Sequence, residues 1–120
     1  MSQRVLIIED DLSTGRMLVS QLAKAGYDVR FVPDAMLGVT ATHEFKPDLL
    51  ILDLLLPAGG GRGVIEKIRM SVKTSHTKVL VLTSLSVEEA QKKLDLDVEG
   101  CIQKPHDLPK LLEEIKRILE

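Results

Sequence analysis

Four apolar runs in this 120-residue chain each lead into polar residues able to do chemistry. Val5-Leu6-Ile7-Ile8 is followed by Glu9, Asp10 and Asp11, and Leu49-Leu50-Ile51-Leu52 by Asp53. Val79-Leu80-Val81-Leu82 leads into Thr83 and Ser84, and the short Cys101-Ile102 leads to Lys104 and Pro105. In an open parallel sheet, ligands bind at the carboxyl ends of the strands. If the runs are such strands, carboxylates, a hydroxyl and an ammonium group meet on one rim.

Carboxylates brought that close repel one another unless a cation compensates or a proton is taken up. Magnesium suits the set, since it prefers oxygen ligands and uses one or two carboxylates with waters and a phosphate. No Cys/His set favours zinc. With its charge neutralised by metal and by Lys104, an aspartate can act as nucleophile towards a phosphoryl group. The protein's part in such a transfer is to position groups and stabilise charge on the equatorial oxygens. Thr83 can donate a hydrogen bond to one of those oxygens.

Each signal has a bland reading when taken alone. An acidic residue after a strand is commonly a helix N-terminal charge. Asp53 reads as a turn residue, Thr83 as a cap and Lys104 as a lysine before a loop. Their joint placement at four strand ends outweighs those readings. His43, His76 and His106 lie far apart and read as surface histidines. Gly59-Gly60-Gly61 lacks the Lys-Ser/Thr of a P-loop and reads as a flexible turn. Met17, Met36 and Met70 read as core or rim packing.

The elements that must position these groups alternate along the chain. Three of the runs are continuously apolar, as strands buried on both faces are. Residues 29–32 are interrupted by Arg30 and read as an edge strand. Between the runs, Ser13 is placed to cap a helix carrying Leu18, Leu22 and Ala25, ended by Gly26. Residues 35–45 carry Ala35 with Val39 and Leu37 with Ala41 at four-residue spacing, and residues 64–70 group Val64, Ile65 and Ile68. Ser86 to Glu89 form a capping box. Asp107 precedes a stripe of Leu108, Leu111, Leu112, Ile115, Ile118 and Leu119. Five β-α units predict an α/β doubly wound domain, with the strand order left open.

Composition narrows the function classes. Hydrophobic residues are 44% and aromatics 2%, so Leu, Val and Ile must fill one core. A net charge of -2 argues against a module held to nucleic acid by phosphate contacts. The single cysteine, Cys101, allows no intrachain disulfide. No apolar run approaches the ~20 residues of a membrane span and no leader is evident, so a cytoplasmic location is expected.

With these motifs assembled, the whole chain resembles the receiver domain of bacterial two-component response regulators. The resemblance rests on Glu9-Asp10, on Asp53-Leu54-Leu55-Leu56-Pro57 with Gly61, on Thr83-Ser84 and on Lys104-Pro105. It implies a five-stranded parallel sheet in the flavodoxin-like order 2-1-3-4-5 with helices on both faces, the order for which a receiver protein is a standard example. It implies one receiver domain over 1–120, with Asp53 as acceptor of a phosphoryl group from a phosphohistidine donor. Glu9, Asp10, Asp53 and the backbone carbonyl of Leu55 would hold Mg2+, and Thr83 and Lys104 would contact the phosphoryl group. Asp11 falls beyond the usual pair and reads as a bystander. The implied partners are a sensor histidine kinase or phosphotransfer protein, a downstream protein on the face of the fourth helix, fifth strand and fifth helix, and a second copy in a weak homodimer. Nucleic acid and membrane are not expected to bind directly. Any catalysis would be self-directed phosphotransfer and autodephosphorylation, secondary to signalling.

Two departures stand out. Cys101 occupies the place of an aromatic three residues before the lysine, so coupling is expected to use the Ser84-Leu85-Ser86 loop instead. Residues 95–100 lack the common small-residue pattern and are expected to form a shorter, less regular connection. Three rival functions are weighed against the receiver. An inactive receiver-like module would need a lost site residue, and an aspartate phosphohydrolase would often carry a second Asp where Leu55 stands. An FMN carrier would need a Ser/Thr-rich phosphate loop where Glu9-Asp10-Asp11 would repel phosphate.

Overall fold

Alternation of side chains along each strand explains how the chain layers itself. In a computed structural model describing residues 2–57, 60–93 and 98–120, the apolar runs become strands β1 (Arg4–Ile8), β2 (Asp28–Val32), β3 (Leu49–Leu52), β4 (Lys78–Thr83) and β5 (Gly100–Gln103). All pairings are parallel and the order is β2-β1-β3-β4-β5. Successive side chains on a strand point to opposite faces. Val5, Ile7, Leu49, Ile51, Leu80 and Leu82 therefore enter one core layer, and Leu6, Ile8, Leu50, Leu52, Val79 and Val81 enter the other. Each fully buried aliphatic side chain contributes about 1.5–3 kcal/mol relative to exposure.

Helices cover both faces. The first layer receives Leu18 and Leu22 from α1 (Leu12–Lys24) and Leu111, Ile115 and Ile118 from α5 (Leu108–Leu119). The second receives Phe45 from α2 (Ala35–Phe45), Val64, Ile65 and Ile68 from α3 (Gly60–Met70), and Ala90 from α4 (Val87–Lys93). β2 is the half-buried edge that its mixed sequence predicts.

Helix starts divide the sequence reading. The Ser86–Glu89 box forms, with Glu89 N–H donating to Ser86 Oγ at 3.1 Å and Ser86 N–H to Glu89 Oε1 at 3.4 Å. Asp107 caps α5 through the N–H of Lys110. Ser13 does not cap α1: Asp11 stands two residues earlier, and its carboxylate accepts from Ser13 and Thr14 N–H. Asp11 is thus a structural cap rather than a bystander.

α3 begins at Gly60, so Gly60 and Gly61 open a helix where a flexible turn was expected; Gly59 lies outside the described residues. α2 buries Gly38, Thr42 and Phe45 and leaves Leu37 half exposed. Met17, Met36 and Met70 are 43%, 76% and 83% exposed, which corrects the packing role expected of them. Of the connection at 95–100, residues 95–97 lie outside the described residues, and Gly100 already opens β5.

Candidate functional site

The β-α crossovers place the ends of β1, β3, β4 and β5 along one edge, so the reactive residues do meet. Glu9 directly follows β1 and is 3% exposed. Asp53 follows central β3 and is 7% exposed. Thr83 closes β4 and is fully buried. Lys104 follows β5, and its backbone N–H donates to Thr83 O at 2.7 Å, which locks the two strand ends together.

Lys104 is the centre of this arrangement. Its ammonium donates to Asp53 Oδ2 at 3.0 Å and binds Glu9 Oε1 in an ion pair. The other Asp53 oxygen accepts the Leu55 N–H at 3.0 Å, and the other Glu9 oxygen accepts the Asp11 N–H at 3.3 Å. Thr83 Oγ1 accepts from Leu85 N–H at 3.4 Å, and its hydroxyl donates to no partner among the described residues. Asp10, next to Glu9 in the chain, is exposed, and Leu55 is 45% exposed.

Burial pushes the Glu9 carboxyl above its usual value, the Lys104 bond pulls it back, and the neighbouring Asp10 carboxyl raises it again. Burial alone would lower the Lys104 ammonium, but its bonds to Glu9 and Asp53 outweigh that and hold it above its ordinary value. The cation demanded by the carboxylate repulsion is therefore supplied in part by the protein.

The donor set is compatible with magnesium. It consists of oxygens alone, and the Asp10 carboxyl is close enough to Glu9 to raise it. Among the described residues no three His, Cys, Asp or Glu side chains are gathered into a metal cluster. Magnesium does not require one, since it is held by one or two carboxylates and retains several waters.

Some features of the site were not apparent in the sequence. Gly61 packs against the acceptor strand: a Cβ there would overlap the Asp53 carbonyl oxygen and lie 2.9 Å from Leu52 Cδ1 and from Leu54 Cα. The glycine in the motif run was the available signal. His106 Nε2 lies 2.9 Å from Gln21 Oε1, tying the segment after Lys104 to α1. Lys104–Pro105 is a cis peptide.

An open parallel α/β sheet with an acidic pocket closed by a lysine defines the class. The chain matches the response regulator receiver domain over residues 5–116 and belongs to that family, the receiver domains of two-component response regulators. It is 32% identical over 117 residues to the DNA-binding dual master transcriptional regulator RpaA of Synechocystis, covering 97% of this chain and 48% of that protein. It is 34% identical over 119 residues to the transcriptional regulatory protein PcoR of Escherichia coli, covering 98% and 51%. The chain thus spans about half the length of these curated relatives. The chemotaxis response regulator CheY4 of Vibrio cholerae superposes with a TM-score of 0.91 at 27% identity, covering 99% of this chain and 100% of that one. Receiver domains of this family are generally magnesium-dependent and work with histidine kinases or phosphotransfer proteins. No helix among the described residues is long and apolar enough to cross a membrane.

Proposed function

We propose that Asp53 is the phosphoacceptor and that the chain acts as one receiver domain over 1–120. The observation that carries this reading is the buried Asp53 carboxylate at the end of the central strand, held between Lys104 Nζ and the Leu55 N–H. In the transfer, an Asp53 carboxylate oxygen forms a bond to phosphorus as the bond from phosphorus to the donor's histidine nitrogen breaks, and the electron pair leaves on the imidazole. The Lys104 ammonium and the Thr83 hydroxyl stabilise charge on the phosphoryl oxygens. Glu9, Asp10, Asp53 and the Leu55 carbonyl would hold Mg2+, which supplies further neutralisation of the phosphoryl charge when bound.

The donor in this reading is a sensor histidine kinase or phosphotransfer protein, and the setting is the cytoplasm. The signal leaves through the face of α4, β5 and α5, where weak self-association would also occur. Support for that face comes from the Lys104 N–H to Thr83 O bond, which joins the pocket to β4 and β5 at its root. Half-buried Cys101 packs against the core beneath it and provides no aromatic ring to rotate.

The test is incubation with acetyl phosphate and magnesium, followed by intact-mass measurement and mapping of the modified residue. One phosphate adduct on Asp53 is expected, and Asp53→Asn should abolish it. An adduct of equal yield in that variant would overturn the assignment.

A further inference from the structure

At the opposite end of the sheet, where the strands begin, a cavity of about 500 Å³ opens between the ends of α2 and α5 and the segment joining α3 to β4. That volume lies within the range of small-molecule sites, ~300–1,000 Å³. Most basic groups at this end have a structural task. Arg4 Nη1 donates to Phe45 O and Lys78 Nζ to Ile118 O, each at 2.8 Å, and Arg69 Nη1 donates to Ser75 O at 3.0 Å. Such bonds satisfy carbonyls that helix ends and turns leave unpaired.

Lys46, Lys73 and His76 differ. All three line the cavity, all are exposed, and none of their side chains makes a hydrogen bond or ion pair among the described residues; Lys46 bonds only through its backbone N–H, to Thr42 O at 3.1 Å. Lys46 is held in the left-handed conformation (φ 52) at the end of α2, which fixes where its side chain departs. Asp48 is the one carboxylate in the lining, and its Oδ2 accepts the Arg4 N–H at 2.8 Å. The cavity therefore has an excess of positive charge.

The walls suit a ligand with a polar and an apolar part. Thr77 is 6% exposed and lines the cavity, and its hydroxyl has no partner among the described residues. The hydroxyls of Thr42 and Thr74 are already committed to Gly38 O and Ile68 O, each at 2.7 Å. Pro47 and Leu119 supply apolar surface. Lysine ammonium groups bind phosphate as point charges, and bonds between charged groups are the stronger class.

We propose that this basal cavity binds a small phosphate-bearing anion, either a nucleotide or a short polyphosphate chain, with Lys46 and Lys73 on the phosphates and Thr77 donating to them. The acidic pocket around Asp53 lies at the far end of the strands, so this site is separate from the phosphoacceptor site.

The experiment is a two-dimensional amide NMR titration of the full chain in magnesium-free buffer at constant ionic strength. The probes are ATP, inorganic tripolyphosphate and adenosine, with sodium sulfate as ionic-strength control. Saturable shifts at Lys46, Lys73, Thr77 and Leu119 are expected with ATP, tripolyphosphate or both. Tighter ATP binding would identify a nucleotide site with the base on Pro47 and Leu119, and equal binding would identify the phosphate chain alone. Lys46→Gln with Lys73→Gln should weaken binding about tenfold or more, without changing thermal unfolding or the acetyl phosphate reaction. Absence of saturable shifts, equal shifts with adenosine or sulfate, or unchanged affinity in the double variant would overturn the proposal.

Discussion

Lys104 and Asp53 stand 51 positions apart in sequence, yet the ammonium of one donates to the carboxylate of the other at 3.0 Å. The same ammonium also binds Glu9. One cation therefore compensates two buried carboxylates that follow two different strands. Removing it would leave both acids without their counter-charge, which is why a pair of this kind is costly to break from one side.

The pH dependence of stability should carry the imprint of Glu9. Its folded-state pKa is raised, chiefly by burial. A raised value means that its favourable contribution is fully present below the unfolded value, 4.5, and is lost as pH rises through the folded value. Lys104 is also raised, so its contribution is present below 10.5 and is lost only as pH climbs through its folded value. In metal-free buffer, Glu9→Gln should unfold at a higher temperature than the parent at pH 7, with the difference closing below pH 4.5. Calorimetric scans across that range would detect it, and a pH-independent difference would argue against burial of a charged Glu9 as the cause.

Magnesium affinity should depend on Asp10 more than on any other single carboxylate, because Glu9 and Asp53 are already engaged by Lys104. Asp10→Ala is expected to weaken binding about tenfold or more, and to raise thermal stability slightly by relieving its repulsion of Glu9. Isothermal titration with magnesium measures the first effect. Unchanged affinity would place the metal elsewhere.

Gly61→Ala tests the packing behind the acceptor. The added methyl would press on the Asp53 carbonyl, the Leu54 Cα and Leu52 Cδ1, two of which are backbone and cannot rotate away. Overpacking of this kind costs about 1–3 kcal/mol. Urea unfolding should show that loss, accompanied by slower labelling of Asp53. A variant as stable as the parent would mean that α3 shifts freely against β3.

The phosphorylated form should be comparatively long-lived. Water must approach in line with the carboxylate it displaces, and by resemblance to the family Leu55 and Leu85 flank that approach. Neither can orient a water by hydrogen bonding. Leu85 also packs against the core, whereas Leu55 is 45% exposed and can be exchanged without disturbing it. Leu55→Asn is expected to speed dephosphorylation by up to about tenfold, or about 1.4 kcal/mol in the barrier. Decay of the phosphorylated mass after removal of acetyl phosphate gives the rate, and equal decay in the two proteins would show that shielding by Leu55 does not set the lifetime.

Much of this protein is written in local pattern. The apolar runs at 5–8, 49–52 and 79–82 imply strands buried on both faces, because runs of four residues are too short for a buried helix. Their odd and even positions then divide between the two core layers. Glu9, Asp53, Thr83 and Lys104 could be named as one constellation because each immediately follows a run or lies within two residues of one. The capping box at Ser86 and the cap at Asp107 were legible for the same reason, since caps act over three residues. Where two local signals compete, the tertiary structure decides: Asp11 takes the cap from Ser13, and α3 opens through glycines because Gly61 must sit against the Asp53 backbone. The strand order, the exposure of Met17, Met36 and Met70, and the sharing of Lys104 between Glu9 and Asp53 depend on which segments become neighbours. So does the basal cavity, whose cations come from the end of α2 and from the segment before β4. Such neighbours are set by crossovers that bring distant residues within bonding distance, and no short-range spacing in the chain encodes those distances.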